Sequence, residues 1–210
     1  MSERNADTII FDTEEPYVTT TATHRPFTFS LVLSSNPILR EVMPEWDFSN
    51  PPMDANEFAS TLVETCKKHK GYGLSANQCG FRYRVFVMGA KDEFVAFFNP
   101  KITAVSKEEV HMEEGCLSFP LLGLHITRPA EVMVEYQDFN GEKKTAHYTG
   151  ISARCFLHEL DHMNGIVYTS RCKPLALKSG MKKVEKMYRK YFNPQMIKQM
   201  MANGNKETNT

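Results

Sequence analysis

Hydrophobic positions recur four residues apart near the start of the chain, and this spacing predicts a first helix. The helix is expected over residues 54–70, where one face carries Phe58, Leu62 and Cys66. Gly71 follows this segment and is expected to end the helix, because glycine readily adopts the backbone conformation found just past helix C-termini.

Between about residues 81 and 149 the pattern changes to short runs rich in Val, Phe, Tyr and Ile, and such runs predict strands. Asn140-Gly141 separates the last two runs and predicts a hairpin turn there. The predicted strands cover residues 85–88, 94–98, 102–105, 132–136 and 145–148.

Two further helices are expected after the strands, over residues 151–163 and 175–192. Thr149 is a candidate N-cap of the first, and Gly165 lies just past its end. The second has an apolar stripe, which we expect to pack onto the domain rather than to dock another protein. The stripe consists of Leu177, Met181, Val184, Tyr188 and Tyr191. Strands followed by helices indicate an α+β fold class.

Composition places the chain among ordinary globular proteins. Residues 1–28 and 193–210 lack a hydrophobic period, so we expect an N-terminal extension and a polar tail around one domain over residues 29–192. Lys plus Arg and Asp plus Glu each number 25, so the protein has no net positive charge that would favour binding to nucleic acid. The five cysteines form no Cys-x-x-Cys pair and favour a reducing compartment, and no stretch of eighteen apolar residues predicts a membrane span. We therefore expect a cytoplasmic protein.

The run His158-Glu159-Leu160-Asp161-His162 falls within the second predicted helix. Positions i and i+4 share a helix face, so both imidazoles can reach one metal ion. Glu159 can then contact a metal-bound water without being a ligand itself. Taken alone, the run is also compatible with a helix that carries two histidines and binds no metal.

A third metal ligand is needed, and no histidine follows His162 in the chain. Upstream, Glu114-Gly115-Cys116-Leu117-Ser118 places a cysteine at an expected strand end. As a thiolate, Cys116 completes a Cys-His-His set with one tetrahedral position open for water, as a catalytic metal requires. The alternative is a buried free cysteine, which describes the other four cysteines better.

The segment Gly71-Tyr72-Gly73-Leu74-Ser75-Ala76-Asn77-Gln78 follows the first helix. It is not read as a phosphate cradle, because no Lys-Ser or Lys-Thr follows the glycines. Gln78 is an uncharged amide that can donate a hydrogen bond to a developing oxyanion. The alternative is that Gln78 is an exposed polar residue of a loop.

Together, the three segments resemble the peptide deformylases, which carry Gly-x-Gly-Leu-Ala-Ala-x-Gln, Glu-Gly-Cys-Leu-Ser and His-Glu-x-x-Asp-His motifs in this order. The resemblance covers about residues 30–192 and marks residues 29–192 as the catalytic domain. It implies antiparallel and mixed sheets around a central helix that bears the histidines, with a C-terminal helix. Ser75 stands where the family usually has Ala, and Leu157 where Gln is frequent.

The resemblance implies that the enzyme removes the formyl group, as formate, from the N-formyl-methionine of nascent peptides. It makes Glu159 the general base and acid, and makes Gln78 with the backbone N–H of Leu117 the oxyanion site. The implied metal ligands are Cys116, His158 and His162.

The resemblance also assigns residues around the chemistry. Gly73 and Gly115 are expected to pair with the substrate backbone as with an added strand. Arg128 is expected to bind Asp161 and so fix the metal helix; the alternative is a surface ion pair of little energy. The methionine pocket is expected to be formed by Tyr72, Met112, Ile151, Cys155 and His158.

One divalent metal is expected as cofactor, and the resemblance favours Fe²⁺, with Zn²⁺, Ni²⁺ or Co²⁺ as alternatives. The expected partners are N-formyl-methionyl peptides and, through the basic helix near 175–192, the ribosome. No direct nucleic-acid specificity and no membrane partner are expected.

Two other classes of protein share some of these features. A peptidase uses the same helix motif but is disfavoured by the upstream cysteine and by Asp161. A structural metal module needs a fourth protein ligand, and no fourth His or Cys lies beside these motifs.

Overall fold

The computed structural model describes residues 27–191. Its helices are α1 (Ala55–Lys68), α2 (Gly150–Met163) and α3 (Pro174–Tyr191), with short 3₁₀ turns at Pro37–Arg40, Ala76–Cys79 and Tyr168–Arg171. Its strands are β1 (Gly73–Ser75), β2 (Val85–Ala90), β3 (Glu93–Val105), β4 (Glu109–Cys116), β5 (Phe119–Pro129), β6 (Glu131–Gln137) and β7 (Lys143–Thr149). The predicted extension, apart from residues 27 and 28, and the predicted tail lie outside the described residues.

The strands form a five-stranded sheet in the order β1-β2-β3-β6-β7 and a separate two-stranded sheet of β4 and β5. Every strand pair in the described residues is antiparallel. The predicted α+β class and antiparallel sheets are confirmed, whereas the expected mixed pairing does not occur in this part of the chain.

Helices cover both faces of the five-stranded sheet. Successive side chains of a strand point to opposite faces, so Phe86 and Met88 pack in one core with α2, while Val85 and Val87 pack in another with α1. This double burial explains why the sequence of β2 is a continuous apolar run rather than an alternating one.

The first predicted helix is confirmed as α1, but its C-terminus differs from the prediction. The helix begins at Asp54, whose side chain accepts a hydrogen bond from the Glu57 N–H at 2.7 Å. It ends at His69, and Lys70 rather than Gly71 takes the left-handed conformation, with φ of 56°. The strain expected for a side chain there is modest and is compensated by backbone hydrogen bonds that close the turn.

The two strands predicted at 94–98 and 102–105 are one strand, β3. Its pairing with β6 shifts register between Phe98 and Lys101, where Asn99 has a positive φ of 51°. The two predicted runs stop on either side of this irregularity, where Asn99-Pro100 is a pair typical of turns. The end of β4 at Cys116 was expected, but the rest of β4 and the whole of β5 were not predicted, since exposed and charged residues alternate there with a few inward ones.

The second and third helices are confirmed as α2 and α3. Thr149 is the N-cap residue of α2 but makes no side-chain capping bond, and Gly165 lies beyond its end with φ of 69°. In α3, Leu177 and Val184 pack against β5, whereas Met181 stays exposed. The expected packing thus holds for part of the stripe. None of the helices in the described residues is long and apolar enough to cross a membrane.

Candidate metal centre

The three side chains predicted to bind a metal lie together between β4 and α2. One helical turn separates His158 from His162, so both imidazoles lie on the same face of α2. Cys116 ends β4, and its Sγ lies 3.4 Å from His162 Nε2. The ligand atoms of the three residues all lie within 4.8 Å of one another, close enough to hold one ion.

A hydrogen bond determines which nitrogen of His158 faces the other ligands. Its Nδ1 lies 2.9 Å from Glu114 Oε2, which leaves Nε2 for the side of Cys116. Burial disfavours the charged imidazole, but hydrogen bonds to Cys116 and Glu114 raise its pKa to about 10. A bound metal ion must replace that proton, so metal binding here releases a proton.

His162 is already in the form that binds a metal. Burial, together with the nearby positive groups of His158 and Arg128, lowers the pKa of His162 well below its ordinary value. The imidazole is therefore neutral at pH 7. Its backbone carbonyl accepts a hydrogen bond of 2.8 Å from Asn77 Nδ2, which ties this end of α2 to the loop after β1.

Glu159 lies beside the ligands, and its Oε2 is buried without a hydrogen-bond partner among residues 27–191. Burial raises the pKa of Glu159 to about 7, while His158 and Ser75 act in the opposite direction. A carboxyl group with a pKa near 7 can both accept and return a proton at neutral pH. One thiolate, two imidazoles and an unpaired carboxyl oxygen together fit a catalytic metal ion and its water.

Gly73 allows the close approach of β1 to Glu159. A Cβ atom at this position would lie 2.5 Å from Glu159 Oε1 and 2.9 Å from Cys155 Sγ. No side chain larger than hydrogen therefore fits without moving Glu159. The glycine that the sequence analysis expected to face substrate also determines where the carboxyl group lies.

Gln78 is buried, with 1% of its surface exposed, so it is not an exposed polar loop residue. It lies in the 3₁₀ turn at Ala76–Cys79, and its Oε1 accepts hydrogen bonds from the backbone N–H and the hydroxyl of Ser75. Its Nε2 lies 3.3 Å from both Cys116 Sγ and Ser118 Oγ. The amide N–H₂ group is therefore directed at the metal ligands.

The expected contact between Arg128 and Asp161 is present. Arg128 Nη1 lies 2.7 Å from Asp161 Oδ2, and both side chains are buried rather than at the surface. Arg171, in the turn after α2, binds the same carboxylate from the other side. Asp161 thus holds the histidine-bearing helix against β5 and against the segment that leads to α3.

Glu114 contacts one of the predicted metal ligands and was not itself predicted as a residue of the site. Its buried carboxylate accepts hydrogen bonds from Arg128, Arg154 and His158. Burial alone would raise the pKa of Glu114, but Arg128 and His158 hold it far below its ordinary value. The available signal was its position two residues before Cys116, which places both side chains on the same side of a strand.

A cavity of about 590 Å³ opens beside the metal ligands. Of the residues expected to bind substrate, it is lined by Tyr72, Gly73, Gly115, Ile151, Cys155 and His158, and Leu117 lines it too. It is also lined by Gln78, Cys116 and Glu159, which were predicted to carry out the chemistry. Its remaining lining residues were not predicted. They are His69, Lys70, Gly71, Glu113, Glu114, Pro120, Leu121 and Arg154.

Met112 is not among the residues that line this cavity. It pairs with Ile126 on β5 and is half-buried. Met112 shares a strand face with Glu114, but two residues along a strand amount to about 7 Å, which places it beyond the cavity wall. Met112 is therefore the one residue expected in the methionine pocket that does not line this cavity.

The sequence profile of the family described as polypeptide deformylase matches residues 29–178 of the chain. A peptide deformylase of Wolbachia sp. subsp. Brugia malayi is 38% identical over 148 residues, which are 64% of this chain and 83% of that protein. A crystal structure of a peptide deformylase from Synechococcus elongatus in complex with actinonin superimposes with a TM-score of 0.71. It is 26% identical and covers 79% of this chain and 93% of that chain.

A class I type b peptide deformylase from Acinetobacter baumannii, bound to Met-Ala-Ser, superimposes with a TM-score of 0.66 at 26% identity, covering 70% of this chain and 99% of that chain. The family profile spans well over half of the chain, and its range contains the three predicted metal ligands and Glu159. The chain belongs to the polypeptide deformylase family, whose members remove the N-formyl group from nascent peptides.

Proposed function

We propose that Cys116, His158 and His162 hold one divalent metal and that Glu159 handles the proton while the formyl amide is hydrolysed. The observation that carries this assignment is that the three ligand atoms lie within 4.8 Å of one another and that two of the residues, Cys116 and His158, line the cavity. The unpaired Oε2 of Glu159 supports a proton-transfer role at the same place.

When bound, the metal lowers the pKa of its water and polarises the formyl carbonyl. We propose Fe²⁺ as the working ion, following the family resemblance. A set of one thiolate and two imidazoles also accepts Zn²⁺, Ni²⁺ or Co²⁺, so the ligands alone do not select among these ions.

The protein's own groups carry out the remaining steps in this proposal. Glu159 Oε2 takes a proton from the attacking water and returns it to the departing amine, for which a pKa of about 7 is suited. Gln78 Nε2 and the backbone N–H of Leu117 donate hydrogen bonds to the formyl oxygen as it gains negative charge.

We propose that N-formyl-methionyl peptides bind by strand addition along Gly73 and Gly115. A Cβ atom at Gly115 would meet nothing within 4 Å, so this side of the backbone is open for an added chain. The methionine side chain would enter the pocket formed by Tyr72, Ile151 and Cys155. The relative from Acinetobacter baumannii, bound to Met-Ala-Ser, supports a peptide of this type.

We also propose a cytoplasmic location and a catalytic domain over residues 29–192. A further part of the proposal is that α3 docks on the ribosome. In support, α3 exposes basic side chains on one side. They are Lys178, Lys182, Lys183, Lys186, Arg189 and Lys190. Deleting α3 should abolish co-sedimentation with ribosomes, and retained co-sedimentation would remove this part.

Formate release from formyl-Met-Ala-Ser, measured together with metal content, tests the proposed function. We expect formate and intact Met-Ala-Ser from protein that contains about one metal per chain. A peptidase would instead cleave the peptide bonds, and a structural metal site would bind metal without producing either product.

A further inference from the structure

Ser75 lies at the centre of a hydrogen-bond network around Gln78, and it is the position where the family motif usually has Ala. Its hydroxyl is fully buried and lies 2.9 Å from Gln78 Oε1 and 3.0 Å from Asn77 Oδ1. An alanine here would leave the backbone path unchanged but would remove both contacts. Ser75 therefore makes two contacts that the Ala of the family motif could not make.

The backbone of Ser75 determines which way the Gln78 amide points. A backbone N–H can only donate, and that of Ser75 lies 3.0 Å from the Gln78 amide. The atom that faces it must therefore be the oxygen, Oε1, so the N–H₂ group faces Cys116 and Ser118. The hydroxyl donates to the same oxygen and reinforces this orientation.

Asn77 links the same hydroxyl to the metal helix. Asn77 Nδ2 donates to the backbone carbonyl of His162 at 2.8 Å, so its Oδ1 must face Ser75. Asn77 occupies the variable position of the family motif. Ser75 and Asn77 therefore join Gln78 to the last metal ligand on α2 through side chains that the motif does not specify.

We propose that Ser75 is a positioning residue for deformylation, whose hydroxyl holds the Gln78 amide toward the metal ligands and couples it, through Asn77, to His162. The inference rests on the proposed oxyanion role of Gln78. The hydroxyl has one proton for three neighbouring acceptors, Gln78 Oε1, Asn77 Oδ1 and the carboxyl group of Glu159, so it donates to one of them at a time. Removing it loosens Gln78 and leaves the buried Asn77 Oδ1 without this donor.

Ser75→Ala tests the proposal, because it removes one atom and adds no volume. We expect kcat for formyl-Met-Ala-Ser to fall about 3-fold to 10-fold, the effect of one neutral hydrogen bond, with KM and metal content unchanged. Ser152→Ala is the matched control. It removes a hydroxyl from another buried serine, one that does not line the cavity, and should leave kcat unchanged.

A double-mutant cycle separates positioning from a general loss of stability. In the Gln78→Ala background, Ser75→Ala should reduce kcat less than it does in the wild-type background, because the contact with Gln78 is already absent and the contact with Glu159 remains to be lost. Equal losses in both backgrounds, or full activity of Ser75→Ala, would overturn the proposal. If the wild-type protein released no formate, the proposed function and this inference would both fail.

A second readout does not depend on activity. In the Zn²⁺-loaded protein, the two Gln78 amide protons should have chemical shifts displaced from those of a solvent-exposed glutamine, because both ends of the amide are hydrogen-bonded. In Ser75→Ala, these signals should broaden or shift, whereas Ser152→Ala should leave them in place. Unchanged Gln78 signals in Ser75→Ala would contradict the positioning role.

Discussion

Replacing Glu114 by Gln tests the buried ionic network behind the metal ligands. Four donor atoms converge on the two carboxylate oxygens of Glu114 at 2.6–2.9 Å: Nε and Nη2 of Arg128, Nη1 of Arg154 and Nδ1 of His158. An amide keeps one of these oxygens and replaces the other with a donor, so two of the four bonds are lost. The substitution changes almost no volume.

The expected cost follows from the kind of bond that is lost. A hydrogen bond to a charged group contributes about 1.5–3 kcal/mol, and breaking a buried ion pair costs about 3–5 kcal/mol. We therefore expect Glu114→Gln to lower the free energy of unfolding by about 3–5 kcal/mol. Because Glu114 also orients His158, metal affinity should fall about 10-fold to 100-fold.

Urea unfolding of the metal-free protein and a metal-binding titration measure the two effects. Glu109→Gln is the control, since Glu109 lies on the same strand but is exposed. A loss below about 1 kcal/mol in Glu114→Gln, equal to that of the control, would refute the reasoning about the network.

The same network predicts a pH dependence of stability. The pKa of Glu114 is lowered by folding, so its contribution is present above the unfolded value near 4.5 and is lost as pH falls below it. The wild type should therefore lose stability more steeply than Glu114→Gln when pH falls from about 5. Parallel pH profiles of the two proteins would contradict this assignment.

Two further substitutions test the residues that face the substrate. Gln78→Ala should reduce kcat about 10²-fold to 10³-fold, the loss seen when one oxyanion donor is removed, and an effect on KM alone would argue for a binding role instead. Gly73→Ala should also reduce kcat, by about 10-fold or more, because its Cβ would displace the carboxyl group of Glu159. Unaltered kcat in Gly73→Ala would show that Glu159 tolerates the displacement.

The sequence predicted the elements whose hydrophobic pattern is strong. α1 has a buried face that repeats at the helix spacing, α2 is buried along most of its length, and β2 is a continuous apolar run. Each was placed within two residues of its bounds. Apart from the strand end at Cys116, β4 and β5 were not predicted, because their sheet has only two strands and leaves one face exposed. Their side chains, such as Glu113 and His125, are typical of a surface.

The residues of the candidate site that belong to a sequence motif could be predicted. Those whose role depends on their burial in the folded protein could not. His158, His162 and Cys116 were found from spacing and ligand chemistry, and the structure brings them together. Glu114 reads as a surface residue in the sequence, since a carboxylate is rarely buried without partners. Arg128 and Arg154, which make its burial favourable, are 14 and 40 residues away along the chain.

The most direct test of the account compares the wild type with Glu159→Gln, in metal content and in formate release from formyl-Met-Ala-Ser. The substitution leaves Cys116, His158 and His162 intact, so we predict about one metal per chain in both proteins. We predict that kcat falls about 10²-fold to 10⁴-fold in the variant, the usual contribution of a positioned acid–base group. Near-normal turnover by a fully metal-loaded variant would contradict the central role given to Glu159.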